Sequence, residues 1–351
     1  MAHESQAGAT IDDVDVPPIL VEHVPAIVAN LKDAAPVDGT FTSKMIAYHM
    51  GWVDRNGRPS DLQPGKLIRP SLCLWACEAC GVPAAQASAA ATALELVHNF
   101  TLVHDDIQDG DRERRGRETV WAVWGLPQGI NAGDALFSHA VATLTHSGAH
   151  PERQLRAARL IAHAVLVVVE GQSLDLRFEG KPDTTLRAYL RMVKAKTGVL
   201  IGASLEAGAV MAGADEAKST RLADAGTMLG VAFQIRDDWL GTWGDPAITG
   251  KSSSGDLARC KLTFQVVAGY AAMRERERAQ MRALFARPQA SSDSLAEIRA
   301  LLESVGGAEL TRNAPQHYAD RAAALVRRSG LSRRHVDQFI EVAQYVARRN
   351  R

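Results

Sequence analysis

From Ile19 onward, apolar residues recur at helical spacing. Leu20, Val24, Ile27, Val28 and Leu31 lie three or four positions apart in the first such stretch, which puts them along one helix face. Comparable stretches fill most of the chain, and the pattern predicts an all-α fold. Glycine and proline set the expected breaks, near residues 81–83, 110–116, 125–129, 146–151, 180–182, 213, 241–255 and 287–292. Residues 53–65 read as a loop, with an Asn56-Gly57 turn signal and prolines at 59 and 64. No period-two alternation bounded by hairpin turns occurs, and no short-period repeat. Residues 1–18 are polar and acidic and read as a flexible tail, leaving 19–351 as a single large helical domain.

Composition narrows the function classes. Hydrophobic residues make up 46% of the 351 positions, enough for a sizeable core. The formal net charge is +0, so no global field draws the chain to nucleic acid or to a membrane surface. Anion binding has to come from local clusters. The N-terminal residues lack a basic start followed by an apolar run, so no secretory signal is expected. The longest apolar run, residues 161–169, stops at Glu170 and is too short for a spanning helix. A cytoplasmic enzyme is the expectation. Four cysteines in a chain of this length do not suggest a disulfide framework.

Two acidic clusters stand out. Asp105, Asp106 and Asp109 sit in VHDDIQDGD at the end of one helical pattern. Asp105 and Asp109 are one turn apart and share a face, where they repel unless a cation lies between them. Oxygen-only ligands suit Mg²⁺, which keeps waters and bridges readily to phosphates. Asp237 and Asp238 form the second pair, in FQIRDDWLGTWGD. Helix capping explains neither cluster well, because acids at a helix C-terminus oppose the macrodipole.

Basic residues accompany them: Lys66 and Arg69 in GKLIRP, Arg112, Arg114, Arg115 and Arg117 in DRERRGRE, Lys196 in AKTG, and Lys251 and Lys261 in GKSSSGDLARCK. Arginine forks and lysine point charges match diphosphate oxygens. Interleaved acids and balanced charge disfavour nucleic acid. Carboxylates for Mg²⁺ plus separate cationic groups fit a ligand set that carries two diphosphates. Cys73, Cys77 and Cys80 show C-x3-C-x2-C spacing, which also occurs in iron–sulfur loops, but i, i+4 and i+7 share one helix face and read as buried small hydrophobes.

In order along the chain, GKLIRP, HNFTLVHDDIQD, RRGRETVW, NAGDALF, GQSLD, KTG, FQIRDD, GD, GK and a final lysine resemble the trans-isoprenyl (polyprenyl) diphosphate synthase family. The loop AYHMGWVDRNGRPSD and the variant WGDPAITGK are similar to a bacterial branch that makes medium-length, often C20, products, the geranylgeranyl diphosphate synthases. The resemblance implies the isoprenoid synthase fold with a central active-site cavity, a homodimer, and condensation of isopentenyl diphosphate with an allylic diphosphate. It implies that Asp105 and Asp109 hold two Mg²⁺ ions and Asp237 a third. Arg114, Lys196 and Lys251, with Lys261 nearby, would grip the allylic diphosphate. Lys66, Arg69, His98 and Arg115 would bind isopentenyl diphosphate, and Thr197 and Gln234 would line the reacting region. Phe100 and Thr101, five and four residues before Asp105, would set product length, with a single aromatic at the fifth position pointing to C20 and farnesyl diphosphate second.

Three positions depart from the family pattern. Gly241 stands where the second motif usually ends in aspartate, Leu67 replaces a frequent basic residue, and Glu118 replaces a proline. A class I terpene cyclase would share the fold and the first acidic motif. It would place an Asn/Asp, Ser/Thr, Glu triad where this chain has Asp237, Gly241 and Asp245, and it would need no isopentenyl site. A non-catalytic subunit would usually have lost the first motif, which is whole here.

Overall fold

Short polar side chains start many of the helices. Thr40, Thr185, Asp215 and Ser332 each accept a hydrogen bond from the backbone N–H three residues on, which satisfies one of the donors left open at a helix start. The computed structural model describes residues 16–60, 62, 65–146, 150–244, 255–286 and 291–350. A 3₁₀ turn, Pro18–Leu20, leads into α1 (Val24–Ala34), α2 (Phe41–His49), α3 (Ile68–Ala79) and α4 (Ser88–Gln108). A two-residue ribbon follows, β1 (Glu113–Arg114) and β2 (Arg117–Glu118), antiparallel with Arg114 opposite Arg117. Then come α5 (Val120–Trp124), α6 (Leu126–His146), α7 (Pro151–Phe178), α8 (Leu186–Val193), a π-helical turn (Lys194–Gly198), α9 (Val199–Ala212) and α10 (Glu216–Trp243). Seven further helices complete the described residues: α11 (Gly255–Ala258), α12 (Phe264–Ala272), α13 (Glu275–Phe285), α14 (Ser292–Ser304), α15 (Gly307–Arg312), α16 (Ala314–Arg327) and α17 (Arg333–Arg348).

The centre is built on α9, which is apolar all round and buried on nearly every side. It packs against α3, α7 and α10, while α4 packs against α6 and α10 against α16. Close approach between α9 and α10 depends on glycine. A Cβ at Gly226 would lie 2.8 Å from the Cα of Gly202. Leu94, Leu96, Val97 and Leu136 fill the α4–α6 side, Leu72, Leu205, Leu229 and Phe339 a second cluster, and Tyr189, Ile235 and Phe285 a third.

Most expected breaks hold, with four differences. Packing begins at Pro17 and Ile19, but the first α-helix starts at Val24, because Pro25 suits a first turn and not a helix interior. Gly125, at φ 90°, is the break between α5 and α6, while Gly129 lies inside α6, tight against Ile107. Helix α10 runs through Gly241 to Trp243. Residues 161–169 lie within α7, whose 28 residues make it long and apolar enough to cross a membrane by length and composition. In the fold α7 packs on α6, α9 and the π turn. Cys73 and Cys77 are buried in α3, with burial driving both thiols up, Cys77 to about 12. Among the described residues no group of three metal-ligating side chains gathers around them, so they serve as core.

Candidate active site

Helix α4 delivers Asp105 and Asp109 at its C-terminal end, the negative end of the macrodipole. The Asp109 N–H donates to the Asp105 carbonyl at 2.8 Å, so the two carboxylates project from successive turns. Lys261 ion-pairs with Asp109, and Lys196 Nζ lies 2.5 Å from Asp175 Oδ2 on α7. Burial pushes the Asp105 carboxyl up to about 6, with Lys196 offsetting part of this and Asp109 adding to it. Burial also acts on Asp109, but Lys261 and Lys196 outweigh it and hold that carboxyl below its usual range. Against its own burial, Lys196 is pushed up by Asp175, Asp105 and Asp109. Gln172 Nε2 stands 3.5 Å from Asp109 Oδ1, and its Oε1 is buried without a hydrogen-bond partner among the described residues.

This donor set fits magnesium. The Asp105 carboxyl sits where its charge is under-compensated, which a divalent cation would relieve. Two carboxylates on one face, without a complete protein shell among the described residues, suit an ion that fills its coordination with water and substrate phosphate.

The π turn widens the backbone between α8 and α9 and presents Lys196 and Thr197 in succession. A Cβ at Gly171 would lie 2.3 Å from the Lys196 nitrogen, so only glycine lets α7 pass this close. Thr197 Oγ1 donates to Gln234 Oε1 at 2.8 Å, and Gln234 Nε2 donates to Asp238 Oδ1 at 2.9 Å. Asp238, 6% exposed, also accepts from Tyr189 Oη at 2.5 Å and from the Phe264 N–H at 2.8 Å. It therefore fixes which way the Gln234 amide faces and ties α8, α10 and α12 together. Its neighbour Asp237 turns elsewhere, to Arg349, whose Nη2 lies 2.6 Å from Asp237 Oδ1. Lys251 and Asp245 lie outside the described residues.

The basic group assembles further back along the same face of α4, where His98 lies two turns before Asp105. Leu67 and Arg115 both adopt positive φ, 46° and 53°, a strained conformation for side chains of this size. Gly65 admits the Arg115 guanidinium, since a Cβ there would lie 2.5 Å from Nη2. Arg69 acts on Glu95 and, across the site, on Asp237, and its Nε is buried without a hydrogen-bond partner among the described residues. Burial and the arginines 69, 115 and 114 hold His98 well below its usual range, so its ring is neutral. Asn99 links Glu95 Oε1, at 3.1 Å, to His49 Nε2, also at 3.1 Å. Lys66 is exposed beside this group. Arg114 is engaged with Asp106, 2.7 Å from both Nε and Nη2.

Below the acidic pair, Phe100 packs against Phe137 of α6, ring centroids 5.4 Å apart, and against His104 at 4.9 Å. Thr101 Oγ1 donates to the His98 carbonyl at 2.7 Å. Sequence reasoning singled out Phe100 but not Phe137. It also gave no role to Asp106, Gln172, Asp175, Tyr189, Asp238 or Arg349. GQSLD carries Gln172 and Asp175 three apart, and that same-face pair was the one available signal for them.

The polyprenyl synthetase family model matches residues 57–302. A geranylgeranyl diphosphate synthase from Mycobacterium tuberculosis is 42% identical over 266 residues, 75% of each chain. A (2E,6E)-farnesyl diphosphate synthase from the same species is 38% identical over 313 residues, 87% of this chain and 85% of that one. The crystal structure of a polyprenyl synthetase from Streptomyces coelicolor superposes with a TM-score of 0.87 at 35% identity, covering 94% of this chain and 99% of that one. The cyclase reading finds no support among them. With an all-helical scaffold, an acidic helix end flanked by lysines and a separate arginine-rich group, this chain belongs to the polyprenyl synthetase family and is a trans-prenyl diphosphate synthase, a prenyltransferase.

Proposed function

We infer that the protein uses Mg²⁺ to condense isopentenyl diphosphate with an allylic diphosphate, head to tail, and that its main product is geranylgeranyl diphosphate. One observation carries the reading. Two charged groups adjoin: Asp105 and Asp109 with Lys196 and Lys261, and Arg69 with His98 and Arg115. Arg114 acts electrostatically on both, on Asp105 and on His98. A pair of diphosphate substrates needs two such groups side by side.

Asp105 and Asp109 would hold the Mg²⁺ ions, with Asp237 opposite. Bound there, the ions supply charge stabilisation for the departing diphosphate. Lys196, Lys261 and Lys251 grip the same diphosphate as the allylic C–O bond ionises and the electron pair leaves with oxygen. Arg69, Arg115, Lys66 and neutral His98 hold isopentenyl diphosphate so that its double bond faces the allylic carbon. The Thr197 and Gln234 dipoles border the resulting cation. A new C–C bond forms, and a proton passes to the departed diphosphate. The Phe100–Phe137 contact forms the apolar floor that keeps water from the cation.

A homodimer belongs to the same proposal. Leu155, Leu166 and Val169 on α7, with Ile130 and Val141 on α6, are apolar and exposed, and a second copy would cover them. The deciding experiment incubates the protein with Mg²⁺, isopentenyl diphosphate and each allylic primer and measures chain length. C20 product that disappears without isopentenyl diphosphate is expected. Release of a cyclic hydrocarbon from an allylic diphosphate alone would refute the reading.

A further inference from the structure

Asp237 is held by a guanidinium built into the fold. Arg349 Nη2 reaches Asp237 Oδ1 at 2.6 Å, and the Arg349 side chain is 3% exposed while that of Asp237 is 30% exposed. Several contacts hold Arg349 independently of the carboxylate. Its guanidinium stacks 4.1 Å over the Phe233 ring, and Nη2 also lies 3.4 Å from the Phe233 carbonyl. Arg236 clamps the same segment, donating Nε to the Arg349 carbonyl at 2.8 Å and Nη2 to the Arg348 carbonyl at 3.3 Å. One turn beyond Asp237, position 241 is glycine and offers no second carboxylate.

We propose that Arg349 is an internal counter-ion that competes with a divalent cation for Asp237. The inference rests on the metal-dependent synthase reading above. A carboxylate already neutralised by a fixed, buried guanidinium attracts a second cation weakly, because separating the pair leaves a buried charge uncompensated. With no carboxylate at 241 to share the ion, the Asp237 site is the weakest in the active centre. It fills last, after the diphosphate has added its own negative charge. Arg349 thereby makes loading of that site depend on substrate. The alternative is a purely structural clasp that ties residues 348–350 to α10, and it predicts no effect on metal binding.

The test measures Mn²⁺ binding by electron paramagnetic resonance, with and without an allylic thiolodiphosphate that cannot ionise. Arg349→Gln is expected to lower the half-saturating Mn²⁺ concentration of the weakest site by about tenfold, the scale of one charge-assisted contact, and to remove its dependence on the analogue. Arg349→Lys, which keeps a cation but loses the fork, is expected to fall between; it serves as the test if Arg349→Gln unfolds. In Asp237→Asn the weak site is expected to vanish, and adding Arg349→Gln should then change nothing. Unchanged Mn²⁺ affinity in Arg349→Gln, or lost analogue binding with Mn²⁺ affinity intact, would overturn the proposal in favour of a clasp or a substrate contact. Wild-type protein that binds no Mn²⁺ with the analogue present would overturn the synthase reading and this inference together.

Discussion

Arg114 turns both Nε and Nη2 onto one oxygen of Asp106, each at 2.7 Å, and Asp106 is only 2% exposed in its side chain against 30% for Arg114. The middle aspartate of the first acidic run is thus an anchor for the ribbon. Arg114 and Arg115 are neighbours there, so the anchor fixes the cationic groups that the proposed function assigns to the substrates. Asp106→Ala is expected to destabilise the fold by about 2 kcal/mol, the range of a hydrogen bond to a charged group. It should raise KM for both diphosphates and spare Mn²⁺ binding. Denaturant unfolding and steady-state kinetics check this; a variant that lost Mn²⁺ but kept its stability would make Asp106 a ligand instead.

The acidic pair itself behaves differently. Asp105→Asn and Asp109→Asn should each lower turnover by several orders of magnitude, and EDTA should abolish it, since the remaining carboxylate faces Lys261 and Lys196 without the ion that the pair attracts. Asp105→Asn should leave thermal stability unchanged or slightly higher, since burial disfavours its charge, while Asp109→Asn should lower it by breaking the buried pair with Lys261. Measurable turnover in EDTA-treated protein would remove magnesium from the mechanism.

Asp237 and Asp238 separate on similar grounds. Asp238 accepts from Tyr189, Gln234 and the Phe264 backbone and is buried. Asp238→Ala should therefore destabilise the protein by roughly 3 kcal/mol, leaving buried donors unmet, and should lower kcat by freeing the Gln234 amide. Asp237→Ala should lower kcat at least as far, and it too costs stability, because Arg349 is left as a buried guanidinium without its counter-ion. Mn²⁺ binding distinguishes them: the weakest site should vanish in Asp237→Ala and persist in Asp238→Ala, and the reverse would contradict the assignment.

How much of this was legible in the sequence follows a physical line. Period, capping and same-face spacing are local, so the helices, the Asp105–Asp109 pair and the breaks near 81, 110 and 213 could be read from residues alone. The family resemblance named distant residues, and the structure brings Lys196 and Lys261 to Asp109 and pairs Thr197 with Gln234. Partnerships that cross the fold stayed hidden. Asp106 with Arg114, Lys196 with Asp175 and Asp237 with Arg349 depend on which helices meet, and no spacing encodes that. The π turn at Lys194–Gly198 was equally invisible, because its widening answers the close passage of Gly171.

Acid stability follows from two histidines. Burial, then Arg114 and Arg115, lowers His49 from 6.5 to about 3, and burial with Arg69 and Arg115 lowers His98 well below 6.5. Both rings are neutral in the fold but take a proton in the unfolded chain below pH 6.5. The stability they contribute is present above that pH and is lost as pH falls toward the folded values. Each adds a slope of up to about 1.4 kcal/mol per pH unit. Between pH 6.5 and 5 the raised Asp105 carboxyl opposes this slope by taking up a proton in the fold, so the readout is the difference between variants: His49→Asn should remove up to about 1.4 kcal/mol per pH unit of acid-side loss in denaturant titrations. An unchanged slope would mean that His49 is hydrated and titrates normally.

Product length turns on Phe100. It lies five residues before Asp105, which at about 1.5 Å rise per residue places it some 7–8 Å below the acidic pair, the reach of one to two isoprene units. The ring is not isolated: Phe137 meets it from α6 at 5.4 Å and His104 from its own helix at 4.9 Å. Two rings from two helices make a stiffer floor than one, so removing one should open the pocket only in part. Phe100→Ala is expected to shift product from C20 toward C25, and Phe100→Ala with Phe137→Ala further still. Thr101→Phe should shorten product toward C15, because Thr101 is small and lies one residue nearer the aspartates, its hydroxyl bound to the His98 carbonyl. Chromatography of dephosphorylated products reads the distribution, and far-ultraviolet circular dichroism confirms that each variant is folded. A folded Phe100→Ala, Phe137→Ala double variant with unchanged products would put the floor on another helix, and both aromatics would then be ordinary core.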